Sequence, residues 1–305
     1  MIINFKLKKY KEVLFDLPFF VFRNDVNISN FFLKFIFLFK SQLIIFILKK
    51  FNKRIFTIFM NYFFGRDGKI IYKPELDLYA KQFKNSEIFF PNKYRILGSM
   101  VNHEYELFNL LDSYCLNNFE ILENDLVVDC GANIGAMFLA LELFGVDFQY
   151  IAFEPDKKVH LCLEKNIKNK KNVLIYINSL GAENKVDKLY INSETGDSSL
   201  EKIITNETIE TQTTTLDSLS LNKIKLLKID AEGSEIEVLK GGINTLEKIE
   251  FIAVDMGPEK GLHSLNTVSE VTNFLLTNNF ELVNLNPERV VGLFKNKNMV
   301  NVESR

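Results

Sequence analysis

The chain has 305 residues, 47% of them hydrophobic and 25% charged, with a formal net charge of −2. That length can bury a sizeable core without disulfide or metal staples, and the composition is that of an ordinary globular protein rather than a disordered or repetitive one. The near-neutral balance gives no broad basic field to draw the chain onto nucleic acid. Three cysteines without CxxC pairing argue against a disulfide framework or structural zinc site and fit a reducing, cytoplasmic setting.

The chain starts with Lys6, Lys8 and Lys9, but Glu12 and Asp16 follow and no small-residue cleavage site closes an apolar run, so the start does not read as a signal peptide. Residues 1–54 hold eleven Lys or Arg against Glu12, Asp16 and Asp25, a local charge of +8 that leaves −10 for the remainder. This division suggests two functional regions. Phe31 to Leu48 are almost all apolar, yet Lys34, Lys40, Ser41 and Gln42 interrupt the ~20 apolar residues a spanning helix needs. At helical spacing Lys34, Ser41, Gln42, Lys49 and Lys53 share one narrow face, with Lys40 off it. Two readings follow: a peripheral contact of residues 31–54 with an anionic membrane at its inner face, or a helix docking its apolar face on the rest of the chain or on another subunit. Residues 55 to about 120 read as a mixed helical linker with a turn at 66–68 and a helix around Tyr105–Leu116.

From Asp125 apolar runs suited to buried parallel strands alternate with helical stretches, which predicts a doubly wound α/β sheet. The strands are expected at Leu126–Asp129, Tyr150–Glu154, Val173–Ser179, Leu226–Asp230, Phe251–Asp255, Phe280–Asn284 and Val290–Phe294. Helices are expected to start near Ile134, Asp156, Ser234 and Thr267, and residues 181–220 read as additional β structure and loop.

LVVDCGANIG is a buried strand ending in an acid, then a glycine turn that opens a helix. Gly131 permits the tight turn and Gly135 the close packing of the helix start. The pattern D-x-G-x-x-x-G lacks the third glycine of the dinucleotide fingerprint, so it reads as a nucleoside site rather than a pyrophosphate cradle. Glu154 ends the next strand in AFEPD, where a carboxylate accepts from ribose hydroxyls, while Asp129 can meet the positive amino-acid end of S-adenosylmethionine. The plainer alternatives are a helix cap for Asp129 and a solvated strand end for Glu154. LLKIDAEGSEIEVLKGG repeats strand, acid, glycine and helix, placing Asp230 and Glu232 at the carboxyl edge where open sheets bind ligands. Glu235 and Glu237 read as an exposed helix face with Lys240, or Glu235 as a stabiliser of the helix start. Asp255 adds a third acid, which raises a divalent cation as the less favoured reading; no residue is assigned to metal.

DCGANIG, AFEPD, TLDSL and KIDAEGSEIEVLKGG, in this order over about residues 125–256, resemble the successive motifs of the FkbM family of methyltransferases. The resemblance implies a class I methyltransferase fold, Rossmann-like, with seven strands and the last antiparallel; the basic, apolar, helical extension over residues 1–100 is read from composition and has no counterpart in the family. The domain would span 101–305. It implies S-adenosylmethionine as cofactor, contacted at Asp129, Gly131, Asn133, Gly135 and Glu154 and near Ser179 and Leu180. Asp230, Glu232 and Gly233 would lie beside the transferred methyl, and the expected activity is O-methylation of a small-molecule or glycan hydroxyl. VDMGPE departs from the family's glutamate at that strand end.

His103, His160 and His263 show no ligand spacing; His263 follows MGPEKG at the carboxyl edge and reads as a base. Ser198 and Ser199 in GDSSL read as acceptor contacts or ordinary turn residues. Asp230 or Glu232, with His263, is expected to assist proton removal. The competing functions are a nicotinamide oxidoreductase, disfavoured by the missing glycine, and a non-catalytic membrane-associated protein of the same fold.

Overall fold

The computed structural model describes residues 31–64, 68–83, 86–96, 103–192, 197–200 and 207–299. The lysine-rich start, Arg66 and Asp67 of the expected turn, Gly196 and the Ser198 side chain lie outside the described residues. The chain divides into two units, Met1–Glu106 and Leu107–Arg305.

In the first unit, α1 (Phe31–Lys50) and α2 (Lys53–Phe64) precede an antiparallel sheet of β1 (Lys69–Lys73), β2 (Leu78–Gln82) and β3 (Glu87–Phe90), in the order β1-β2-β3. The helix expected to run through Lys53 stops at Lys50, because Lys53 takes a left-handed φ of 53° that turns the chain. Lys93 closes that break: its buried ammonium donates to the carbonyls of Leu48 and Phe51 and to Asn52 Oδ1, satisfying the orphan carbonyls of the α1 end. Asn61 on α2 both donates to and accepts from the backbone of Ile70 at 2.7 Å, so the helix is laced to β1. The helical linker expected from residue 55 is therefore wrong over 69–90. Four- and five-residue strands are too short to show a period, and their neighbours decide them. Among the described residues no helix is long and apolar enough to cross a membrane.

After α3 (His103–Ser113), the second unit alternates strand and helix: β4 (Leu126–Cys130), α4 (Ala136–Glu142), β5 (Gln149–Phe153), α5 (Lys157–Ile167), β6 (Val173–Tyr176), then β11 (Ile224–Ile229), α6 (Glu235–Lys240), β12 (Ile249–Asp255), α7 (Val268–Thr277), β15 (Phe280–Asn286) and β16 (Val291–Asn296). These strands form one seven-stranded sheet in the order β15-β16-β12-β11-β4-β5-β6, in which β16 runs antiparallel to both neighbours. The expected Rossmann-like sheet with its antiparallel last strand is present. Its central strands β4, β5, β11 and β12 are largely buried on both faces, as parallel strands are, while the edge strands β6 and β15 are partly exposed. Val127, Tyr150 and Leu226 face a core with Phe138, Leu141, Leu163 and Ile167 of α4 and α5. Val128, Ile151 and Leu227 face one with Val238, Leu239, Val271 and Leu275 of α6 and α7.

The 181–220 insertion is a second sheet, order β7-β10-β8-β9, made of β7 (Ser179–Leu180), β8 (Lys185–Asn192), β9 (Asp197–Ser199) and β10 (Glu207–Thr214). The expected strand Val173–Ser179 is thus two strands that belong to different sheets. A hairpin, β13 (Pro258–Lys260) with β14 (Leu265–Asn266), follows β12 at the carboxyl edge.

Candidate functional site

Strand order reverses between β4, with β5 and β6 beyond it, and β11, and at such a switch point the carboxyl ends of neighbouring strands diverge to leave a ligand crevice. The sequence places its densest polar chemistry there. Gly131 (φ 74°) and Gly135 (φ 86°) take left-handed backbone around the loop. A Cβ at Gly131 would stand 2.0 Å from the Asp230 carbonyl, and one at Gly135 about 3 Å from Ile167 and Leu163. Both glycines are therefore required by packing, independently of any ligand. Asn133 is also left-handed (φ 51°), and its N–H donates to Glu154 Oε2 at 2.9 Å while the Asp156 N–H donates to Oε1 at 3.0 Å. Glu154 thus ties the glycine loop to the end of β5. Burial pushes its carboxyl up to about 7. Asp156 caps α5, accepting from the Lys158 and Val159 amides.

Asp129 lies under the loop, 0% exposed. Its Oδ2 accepts from the Tyr150 hydroxyl and its Oδ1 stands 2.9 Å from the Lys228 ammonium, its register partner across β4 and β11. Lys228 also donates to the carbonyls of Cys130 (3.2 Å) and Gly131 (2.6 Å), so one ammonium holds the Asp129 carboxylate and the loop carbonyls together. Burial lowers the Lys228 pKa, but Asp129 and Asp230 outweigh it and the ammonium is held above its ordinary value. The sequence reading set Asp129 against a cofactor; the structure sets it beneath the loop, where it fixes the lysine that holds the loop carbonyls. Asp129 does not cap α4, whose N-cap is Gly135.

Asp230, at the tip of β11, accepts at Oδ2 from the Tyr114 hydroxyl (2.6 Å) and Arg289 Nη2 (2.9 Å). Arg289 reaches from the β15–β16 turn, where Asn286 accepts from its amide, and its Nε also donates 2.6 Å to Asp255 Oδ2. Its guanidinium lies 4.6 Å over the Tyr114 ring. Half-buried beside Tyr114, Asp230 and Asp255, whose charges outweigh its partial burial, it stays charged, and burial next to Asp230 keeps the Tyr114 hydroxyl protonated as a donor.

Asp230, Glu232 and Glu259 present carboxylate oxygens within 4.8 Å of one another. The third acid beside the first two is therefore Glu259, from β13, and not Asp255, which is 2% exposed and held by Arg289 and the Gly257 amide. Gly233 makes this possible: a Cβ there would meet Lys260 Cα at 2.6 Å, so only glycine lets β13 come this close. Burial, reinforced by Asp230, Asp255 and Glu235, pushes the Glu259 carboxyl up to about 8. Oxygen donors of this kind suit a hard cation as well as hydroxyls and ammonium groups.

Other expected positions fall elsewhere. Glu235 is not on an exposed face; it is buried and accepts from the Gly233 amide and Thr267 hydroxyl, bracing the turn before α6. Ser179 and Leu180 are buried in the second sheet, with the Ser179 hydroxyl on Thr213. Ser199 donates to the Glu232 carbonyl at 2.6 Å, so it supports the carboxylate trio from the insertion. His263 is exposed in the β13–β14 turn and makes no hydrogen bond or ion pair among the described residues, so it is not joined to the carboxylates. A cavity of about 1060 Å³ involving Phe119, Lys225, Phe251, Leu285 and Lys295 includes none of the loop or carboxylate residues.

Lys228, Tyr114, Arg289 and Glu259 escaped the sequence reading. A lysine inside the apolar strand LLKID signals a buried partner, but nothing local marks a tyrosine 116 positions from the aspartate it serves.

The family model for the methyltransferase FkbM domain matches residues 129–282, which is more than half of the chain and runs from the glycine loop into β15. No curated protein matches. Among solved structures the chain is similar to the methyltransferase FkbM from Methylobacillus flagellatus KT, at 16% identity over 67% of this chain and 55% of that one, with a TM-score of 0.44. It is also similar to a SAM dependent methyltransferase from Aquifex aeolicus (12%, 63% and 97%, TM-score 0.39). A third is a putative tRNA (m1A22) methyltransferase of Streptococcus pneumoniae in complex with S-adenosyl-L-methionine (11%, 62% and 72%, TM-score 0.39). The chain therefore spans little more than half the length of the Methylobacillus protein. With the seven-stranded sheet, the glycine loop at its switch point and the family match over 129–282 together, the chain belongs to the FkbM family of methyltransferases.

Proposed function

We propose that the chain is an S-adenosylmethionine-dependent O-methyltransferase acting on a hydroxyl of a sugar, in a glycan or glycolipid. The observation that carries this reading is the convergence, at one switch point, of a glycine loop braced by Glu154 with the carboxylates Asp230, Glu232 and Glu259. The residues present fit such a cofactor: Glu154 retains lone pairs for a ribose diol, and the carboxylate trio suits a sulfonium and an ammonium. When bound, the cofactor supplies an electrophilic methyl group.

The protein's part is to align an acceptor oxygen with that methyl and to take its proton. Asp230 suits alignment, since Tyr114, Arg289 and Lys228 hold its carboxylate in place. Glu259 suits proton removal, because a carboxylate pushed up to about 8 is a stronger base near neutrality than an ordinary one. A cluster of acceptors also matches a polyol, whose hydroxyls are donors.

Incubation with labelled S-adenosylmethionine and separated glycans, lipids and proteins tests the reading. Label as a methyl ether in glycan or glycolipid is expected; label in protein alone overturns the sugar acceptor. Calorimetric binding of NAD in preference to S-adenosylmethionine overturns the cofactor.

A further inference from the structure

We propose that the exposed aromatic face of α1 and α2 is a membrane-docking surface that lies in the headgroup layer of an anionic bilayer. Phe35, Phe39, Gln42 and Phe46 recur at i, i+4, i+7 and i+11, so they share one side of α1, and all are exposed; the three phenylalanines are 62%, 67% and 55% exposed. Lys49 and Lys50 continue that side, while Ile47 and Leu48 turn inward. On α2, Ile55, Ile58, Phe59 and Tyr62 form an exposed stripe of the same spacing, with Phe56 and Met60 buried behind it.

The two stripes are one surface. The Phe51 ring stands 6.2 Å from Phe46 and 4.7 Å from Phe59, bridging the helices across the break at Asn52. Scattered exposed phenylalanines need no explanation, but a contiguous aromatic patch marks an interaction site.

Charge selects the occupant. Residues 31–64 contain Lys34, Lys40, Lys49, Lys50, Lys53 and Arg54 and no Asp or Glu. Lys53 is paired with Asp77, whereas Lys49, Lys50 and Arg54 are exposed beside the aromatic stripes. Aromatic rings that enter the headgroup boundary, edged by cations, are the chemistry of an in-plane contact with anionic lipid, and α1 is not apolar enough to span. The sequence suggested an amphipathic helix with a basic stripe; among the described side chains of α1 the exposed ones are Phe35, Phe39, Gln42 and Phe46, followed by Lys49 and Lys50. This surface stands apart from the methyl-transfer reading, whose failure would leave it untouched.

The test is cosedimentation of the full chain with vesicles of phosphatidylcholine alone or mixed with phosphatidylglycerol. Binding is expected only with the anionic vesicles, falling with salt. Lys49→Glu with Lys50→Glu should weaken it roughly tenfold or more, and Phe35→Asp with Phe39→Asp to a similar degree. Melting curves confirm that each variant folds; Phe39→Ser alone serves where the double change does not. No binding, equal binding to neutral vesicles, or unchanged binding by both variants overturns the proposal. A dimer in light scattering that Phe39→Ser dissociates, with vesicles left unbound, also overturns it and assigns the face to a second copy.

Discussion

Replacing Lys228 with Met removes the one ammonium that holds the glycine loop from below. Lys228 is 5% exposed at its side chain and Asp129 0%, so the change strands a carboxylate in the interior with only the Tyr150 hydroxyl as donor. Breaking one partner of a buried pair costs about 3–5 kcal/mol, and the Gly131 carbonyl, left without the lysine donor, adds about 1 kcal/mol. The total, about 5 kcal/mol, is comparable with the whole stability of many domains. Lys228→Met should therefore shift the urea midpoint strongly, and Asp129→Asn with Lys228→Met should recover about 2 kcal/mol, since no buried charge remains. The Lys228 pKa is raised on folding, so the pair contributes fully below the ordinary lysine value of 10.5 and is lost only above the folded one. The loss should therefore be the same at pH 6 and pH 9. A cost under about 1 kcal/mol, or a double variant no more stable than the single one, would refute the clamp.

Gly131→Ala places a Cβ 2.0 Å from the Asp230 carbonyl at a φ of 74° and should cost about 3 kcal/mol or more. Gly145→Ala, at φ 73° with nothing within 4 Å, should cost only about 1 kcal/mol. Thermal melts of the two separate collision from backbone strain. Burial raises the Glu154 carboxyl from 4.5 to about 7, so its contribution is fully present below pH 4.5 and is lost as pH rises towards 7. Within that window Glu154→Gln should flatten the stability slope by up to about 1.4 kcal/mol per pH unit, measured by urea titration. Glu259→Gln should lower turnover about 100-fold and abolish a rate that climbs through pH 8, measured as turnover against pH at saturating cofactor.

The strand positions, the glycine loop and the family are legible in the chain itself because they rest on local necessity. Buried parallel strands must be apolar, a tight turn before a helix must hold glycine, and Asp156 must cap where the next helix starts. What a carboxylate does at the end of its strand is not local. Asp129 and Asp230 occupy equivalent sequence positions, yet one is sealed under Lys228 and the other is held by Tyr114 and Arg289. Glu259 takes the place expected of Asp255 as the third acid, because Gly233 admits β13 and Arg289 occupies Asp255. The sequence by itself determined which residues reach the carboxyl edge. Only the tertiary structure decided which of them are buried and which face the crevice, because burial and charge pairing depend on neighbours brought together from distant parts of the chain, 34 residues apart for Arg289 and Asp255 and 116 for Tyr114 and Asp230.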